Sequence, residues 1–332
     1  MKTTSLALSF ATLALCAFDS HATEQPARRP VHTYSIVARD AATGDLGVAV
    51  QSHWFSVGSV VSWAEAGVGA VATQSFVEVS YGPLGLELMR AGKSADEALR
   101  GLLAMDPHAD VRQVAMVDRE GNVAVHTGAN CIAAAGHRRG EGYAVQANMM
   151  ERDTVWNAMA TAYESASGDL AERLIVALEA AQGEGGDIRG QQSAAILIVP
   201  GTSSGAPWRE RTVDLRVEDH AHPVAELRRL LGVHRAYDHM NRGDELFADG
   251  DVEGALGAYA AAADLLPHNL EVSYWQAVTM VGAGRTDEAL PIFRQVFARG
   301  PHWLELTRRL PAVGLLPAEE AILDRILATG GE

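Results

Sequence analysis

Alternation of apolar and polar positions is clearest where the chain first becomes regular. Thr33-Tyr34-Ser35-Ile36-Val37-Ala38-Arg39 and Leu46-Gly47-Val48-Ala49-Val50 are β-branched runs separated by a short Asp/Gly turn, the pattern of a hairpin that opens a folded domain. Short glycine-bounded apolar runs at 59–63 and 67–73 read as buried strands. From Tyr81 the period becomes helical, with Leu84, Leu86, Leu88 and Met89 leading to Gly92 as a stop. Ser94-Ala95-Asp96-Glu97 has the form of a capping box, so a second helix starts there. A further hairpin is predicted over 111–117 and 123–126, then a strand over 143–148, helices over 155–165 and 170–181, and strands over 193–199 and 213–217. Helices arriving in pairs between hairpins, rather than one after each strand, predict an α+β fold of antiparallel sheets with helices stacked outside.

Beyond about residue 235 strand signals stop and a repeat begins. Gly250, Ala255, Leu256, Tyr259, Pro267 and His268 match Gly284, Ala289, Leu290, Phe293, Pro301 and His302, each pair 34 residues apart. That period and the Ala-aromatic-Pro pattern resemble tetratricopeptide repeats, helix pairs that share a stacked core. A small all-α repeat domain is therefore expected over 235–310, with a carboxyl-terminal helix and tail over 311–332. It should lean on a helix running from Val224 to Arg235 or on the helix near Ala318 to Leu327. The repeats either cap the larger domain or offer a groove to a protein partner.

At the amino terminus Lys2, an apolar run from Leu6 to Phe18 and the small residues ending at Ala22 have the layout of a signal peptide over 1–22, too short to span a bilayer. Residues 23–31 carry two prolines and no periodicity and read as a leader. The main domain then occupies 32–230, and the mature protein is expected in the periplasm or outside the cell. Cys16 lies in the removable segment, leaving Cys131 alone and no internal disulfide. A hydrophobic content of 48% with 21% charged residues is that of a globular chain. A net charge of −15 argues against binding a phosphate backbone, which would need clustered Lys and Arg, so no nucleic-acid partner is expected. Asp219, His220 and His222 stand close together, but Pro223 opens a helix there, so they serve its first turn more simply than a metal. No phosphate loop or dinucleotide fingerprint is present, and neither cofactor nor metal is expected.

Thr33 begins the first strand downstream of a removable segment. It is either a plain strand former or a nucleophile whose base is its own α-amine. The segments 33–40, 46–50, 66–75, 81–85 and 185–193 (Gly-Gly-Asp-Ile-Arg-Gly-Gln-Gln-Ser) resemble the DUF1028 family, which is grouped with the N-terminal nucleophile hydrolases. The resemblance covers about residues 32–230. It implies a four-layer αββα sandwich, with Thr33 attacking an amide carbonyl of a small amide or peptide substrate once its amine is freed by cleavage after His32. Such enzymes often hold a lysine near the nucleophile. None occurs between Lys2 and Lys93, so Arg39, His53 or Arg189 would have to supply positive charge. Oxyanion donors are expected from backbone N–H groups of the turn at Thr73-Gln74-Ser75, with Asn148 as a second donor or a turn residue. Asp187, Arg189 and Ser193 either order the site or brace a loop. The competing class is a non-catalytic binding or assembly protein that works through the repeats. An oligomer is compatible with either.

Overall fold

The computed structural model describes Val31 and residues 33–331. The expected signal peptide, the leader up to residue 30 and His32 lie outside the described residues. The chain runs β1 (Thr33–Arg39), β2 (Leu46–Ser52), α1 (Gly58–Val61), β3 (Ser62–Glu65), β4 (Gly69–Ser75), α2 (Tyr81–Arg90), α3 (Ala95–Met105), β5 (Arg112–Asp118), β6 (Val123–Thr127), β7 (Gly136–Gly140) and β8 (Tyr143–Ala147). It continues with α4 (Val155–Ser165), α5 (Leu170–Gly183), β9 (Ser193–Val199), β10 (Val213–Val217) and α6 (Pro223–Ala248). Strands pair in the orders β10-β9-β2-β1-β8-β7 and β3-β4-β5-β6, and every pairing between them is antiparallel.

The two sheets lie face to face. Along β1, Val37 joins Val48, Val50, Ala70, Ala72, Ala115 and Val117 in an apolar layer drawn from both sheets. The alternate residues Tyr34, Ile36 and Ala38 pack outward against Met159 of α4 and Leu174 and Leu178 of α5. On the far side, Val71, Val114 and Met116 of the smaller sheet meet Tyr81, Leu86 and Met89 of α2 and Leu99 of α3. The layers thus run helices, sheet, sheet, helices. Strands covered on both faces lose the period-two signal and read as continuous apolar runs, as β9 does with all seven residues buried. The capping box is present: Ser94 Oγ accepts from Glu97 N at 3.3 Å and Ser94 N donates to Glu97 Oε2 at 3.0 Å.

Within the sandwich two strand regions depart from the sequence expectation. The run expected as a strand over 59–63 splits into the short α1 and β3. The strand β7, Gly-His-Arg-Arg-Gly, carries no β-branched residue; it is held at a sheet edge by its ladder with β8 and by Arg138 with Glu164. Edge strands tolerate such composition because one side faces solvent.

The helix expected to end near Arg235 continues to Ala248. Its first half, through Val224, Leu227 and Leu231, completes the outer core of the large sheet. Its second half, through Ala236 and Met240, joins Tyr259, Ala262 and Val272 of the carboxyl-terminal helices. These are α7 (Val252–Leu265), α8 (Leu270–Gly282), α9 (Thr286–Arg299), α10 (His302–Arg309) and α11 (Glu320–Leu327). The repeat positions Ala255 and Ala289, and Tyr259 and Phe293, are buried alike. Gly243 gives Tyr259 room, since a Cβ there would stand 2.8 Å from its ring. No described helix is long and apolar enough to cross a membrane.

Arginines clamp α6 to α5. Arg228 reaches Glu172 at 2.8 Å and also Glu179, while Arg235 reaches Glu172 at 3.3 Å and Asp169 at 2.8 Å. Burial pushes the Glu172 carboxyl up, but hydrogen bonds and charge from Arg228 and Arg235 outweigh it and leave it below the ordinary glutamate value. The clamp's contribution is therefore present above the unfolded glutamate pKa of about 4.3 and is lost as pH falls through the lower folded value. Glu172→Gln is expected to lower the urea midpoint at pH 7 by an amount equivalent to about 1 kcal/mol. The gap between variant and parent should close as pH falls from about 5 to about 3; a gap independent of pH would remove the charge from the clamp.

Candidate active site

Strands of both sheets deliver polar side chains to one end of the space between them. Thr33 pairs with Ser52 in β2, and Ser52 pairs with Ser193 in β9. Thr33 is fully buried, and its hydroxyl donates to the carbonyl of Val31 at 2.9 Å and lies 3.2 Å from Ser52 Oγ. Its carbonyl accepts from the backbone N–H of Asn148 at 3.1 Å and from Gln74 Nε2 at 3.0 Å. Gln74 Nε2 and Asn148 Nδ2 both donate to Gln113 Oε1, at 2.7 and 2.9 Å. Gln113 Nε2 in turn lies within 3.2 Å of Thr127 Oγ1, the Gly136 carbonyl and the Ala147 carbonyl. Ser35 donates to Gln74 Oε1 at 2.6 Å and accepts from Gln146 Nε2 at 3.2 Å. This amide network ties both sheets together around the Thr33 backbone, where buried polar groups need partners.

Val31 belongs to the same end. Its N–H donates to Ser75 O and its carbonyl accepts from Ser75 N at 3.0 Å, a two-way bridge of antiparallel type. Its side chain is 1% exposed. The residue expected at the end of an aperiodic leader is instead built into the fold.

A second cluster lies on the helix side of the large sheet. Asp187 follows Gly185 and Gly186, whose φ values of +104° and +67° suit glycine. Its carboxylate accepts from Arg189 Nη2 at 2.7 Å, from Arg189 N at 2.9 Å and from His53 N at 3.0 Å. Tyr34 donates to Gln182 Oε1 at 3.0 Å. Burial, then the charge of Asp187, pushes its phenol well above the ordinary value, so it stays a neutral donor. The Gln51 amide is fully buried without a hydrogen-bond partner among the described residues.

Of the residues singled out in the sequence, Thr33, Gln74, Ser75 and Asn148 meet at the first site. His53, Asp187 and Arg189 meet at the second, where Asp187 braces the loop to His53. Ser193 accepts from Val57 N at 3.1 Å and donates to the Trp54 carbonyl at 2.5 Å, fastening the loop after β2. Arg39 must be withdrawn from the site: it ends the strand that Thr33 begins, about 20 Å away at 3.3 Å per residue. Thr73, Gln74 and Ser75 also do not form a turn; they are the last residues of β4, paired to β5, and Ser75 N is bonded to Val31. Ser35, Ser52, Gln113 and Gln146 were missed. The available signal was a lone serine or glutamine near the same end of successive apolar strands.

Residues 33–227 match the family described as a family of unknown function, DUF1028. The chain belongs to the DUF1028 family. A Silicibacter pomeroyi protein of the same family, known from a crystal structure, superposes with a TM-score of 0.54 at 28% identity, over 60% of this chain and 88% of that one. Residues 246–310 match the tetratricopeptide repeat. Comparison with curated proteins gives no match. The DUF1028 segment of this chain begins at Thr33 itself, at the site just described. Cys131, also within it, is partly exposed, donates to the Arg112 carbonyl at 3.4 Å, and has its thiol pKa pushed up by burial, the opposite of an activated thiolate.

While Thr33 remains joined to His32, its nitrogen is an amide and cannot take a proton from the hydroxyl, and the hydroxyl faces the Val31 carbonyl rather than a base. The chemistry available to the site therefore depends on what precedes Thr33.

Proposed function

We propose that this DUF1028 chain is an exported amide hydrolase of the N-terminal nucleophile type, with Thr33 as nucleophile. The observation that carries the reading is the coincidence of three things at Thr33. The family's shared segment starts there, the strand it opens is interior to its sheet, and Gln74 of β4 and Asn148 after β8 donate to its carbonyl while sharing Gln113 of β5 as their acceptor. The order helices, sheet, sheet, helices is that of the N-terminal nucleophile sandwich and supports the same reading.

Activation begins with the Thr33 hydroxyl attacking the His32 carbonyl carbon. A C–O bond forms, the C–N bond to Thr33 breaks, and the hydroxyl proton passes to that nitrogen. Water then hydrolyses the ester, releasing the His32 carboxylate and leaving a free Thr33 amine as base. The same hydroxyl next attacks a substrate amide, and the amine relays its proton to the leaving nitrogen.

A second reading is favoured by the tetratricopeptide match: a binding or assembly protein whose helical repeats hold a protein partner while the segment before Thr33 stays attached. The mature amino terminus separates the two. Intact-mass and Edman analysis of the exported protein is expected to find a chain beginning at Thr33; a chain beginning at Thr23, with no shorter species, favours the binder and removes Thr33 as nucleophile.

A further inference from the structure

The position of Val31 says what kind of substrate the site would accept. We infer that Val31 occupies the subsite for the acyl side of the substrate, and that the substrate is an extended peptide or peptide amide with a branched aliphatic residue immediately before the residue whose carbonyl is attacked. This deepens the hydrolase reading and rests on it. Three observations carry it. Val31 is bound through its main chain in both directions to Ser75, the way an added strand is recognised without regard to sequence. Its side chain shares the face of Thr33 and lies in the apolar layer with Val50, Val57 and Ala72. Its carbonyl accepts from the Thr33 hydroxyl at 2.9 Å.

Chemistry links this placement to substrate. Transfer of the His32 acyl group from the Thr33 nitrogen to the Thr33 oxygen moves that acyl carbon by about one bond length. The residue behind it, Val31, keeps its place. Any substrate that forms the same ester must put its own acyl chain along the same path, with its penultimate residue against Ser75 and in the apolar layer. In a substrate the bond formed is again Thr33 Oγ to acyl carbon, the bond broken is acyl carbon to nitrogen, the amine leaves with the proton, and water regenerates the hydroxyl. Once residues up to 32 depart, Ser75 loses the partner of its N–H and C=O, and an unpaired buried backbone pair is a strong site for another chain. Two exposed apolar side chains, Phe55 and Ile188, stand on loops joined by the His53 to Asp187 bond, giving that end of the sandwich an apolar rim.

The test uses the full-length chain, from which the species beginning at Thr33 is isolated, with full-length Thr33→Ala as the uncut comparator. Two probes are applied: acetyl-Pro-Xaa-His p-nitroanilide for turnover, and acetyl-Pro-Xaa-His carboxylate for calorimetric binding, with Xaa as Val, Gly or Asp. Expected is kcat/KM about 100-fold higher for Val than for Gly, no detectable turnover with Asp, and binding of the Val carboxylate to the processed chain but not to the uncut one. Turnover of other amides without any preference among the three, together with no binding, overturns the subsite and leaves the hydrolase reading standing. Selective binding of the Val peptide with no turnover supports the subsite and overturns the hydrolase reading. A chain that never begins at Thr33 keeps the subsite filled and overturns both.

Discussion

Thr33→Ala is expected to abolish release of the amino-terminal segment and to reduce amide turnover by at least about 10⁴-fold, the scale on which removing a catalytic nucleophile is felt. Both effects follow from one atom, because the same Oγ would attack the His32 carbonyl and later the substrate. Stability should change little by comparison. The hydroxyl donates one buried hydrogen bond, to Val31 O at 2.9 Å, worth about 1 kcal/mol, whereas the backbone ladder to β2 and β8 and the donors on the Thr33 carbonyl survive the substitution. Thr33→Ser keeps the oxygen and should still process and turn over. Undiminished hydrolysis by purified Thr33→Ala would take the residue out of the mechanism, and a loss in Thr33→Ser as deep as in Thr33→Ala would point to packing rather than nucleophilic attack.

Gln113→Leu is expected to be the most damaging single change at the site without touching the nucleophile. The leucine removes the acceptor shared by Gln74 and Asn148 and the donor serving the Thr127 hydroxyl and the Gly136 and Ala147 carbonyls. Each buried group left without a partner costs on the order of 1–3 kcal/mol, and partial rescue by remaining bonds brings the expected total to about 3 kcal/mol. Urea unfolding should show this as a lower midpoint at unchanged slope. Gln113→Glu, which sets a buried carboxylate against the Gly136 and Ala147 carbonyls, should lower the midpoint at pH 7 at least as far as the leucine does. A midpoint within error of the parent would mean that water fills the role of the side chain.

The elements most legible in the sequence are those whose local chemistry agrees with the fold. The β1 and β2 hairpin, the Ser94 capping box and the 34-residue repeat each carry a short-range signature, and each is where that signature puts it. The family resemblance likewise rests on segments whose match spans 33–227. What was not legible depends on partners distant in sequence. The strand β7 exists because β8 offers it an open edge. Helix α6 runs past Arg235 because Tyr259 and Val272 continue its apolar face. Gln113 and Gln146 look like surface residues in isolation and become the centre of a buried network only when two sheets close over them. Arg39 misled for the converse reason: it is close to Thr33 along the chain, and a strand carries that closeness away in a straight line.

Helix α6 is an unbroken rod of 26 residues, about 39 Å long, with one core gripping each half. Such a connection sets azimuth as well as spacing. One residue inserted at its middle would swing the carboxyl-terminal helices about 100° around its axis and advance them about 1.5 Å, whereas a coil tether would absorb the same insertion unnoticed. The carboxyl-terminal helices are thereby held to the sandwich at one bearing, set by the register of this rod.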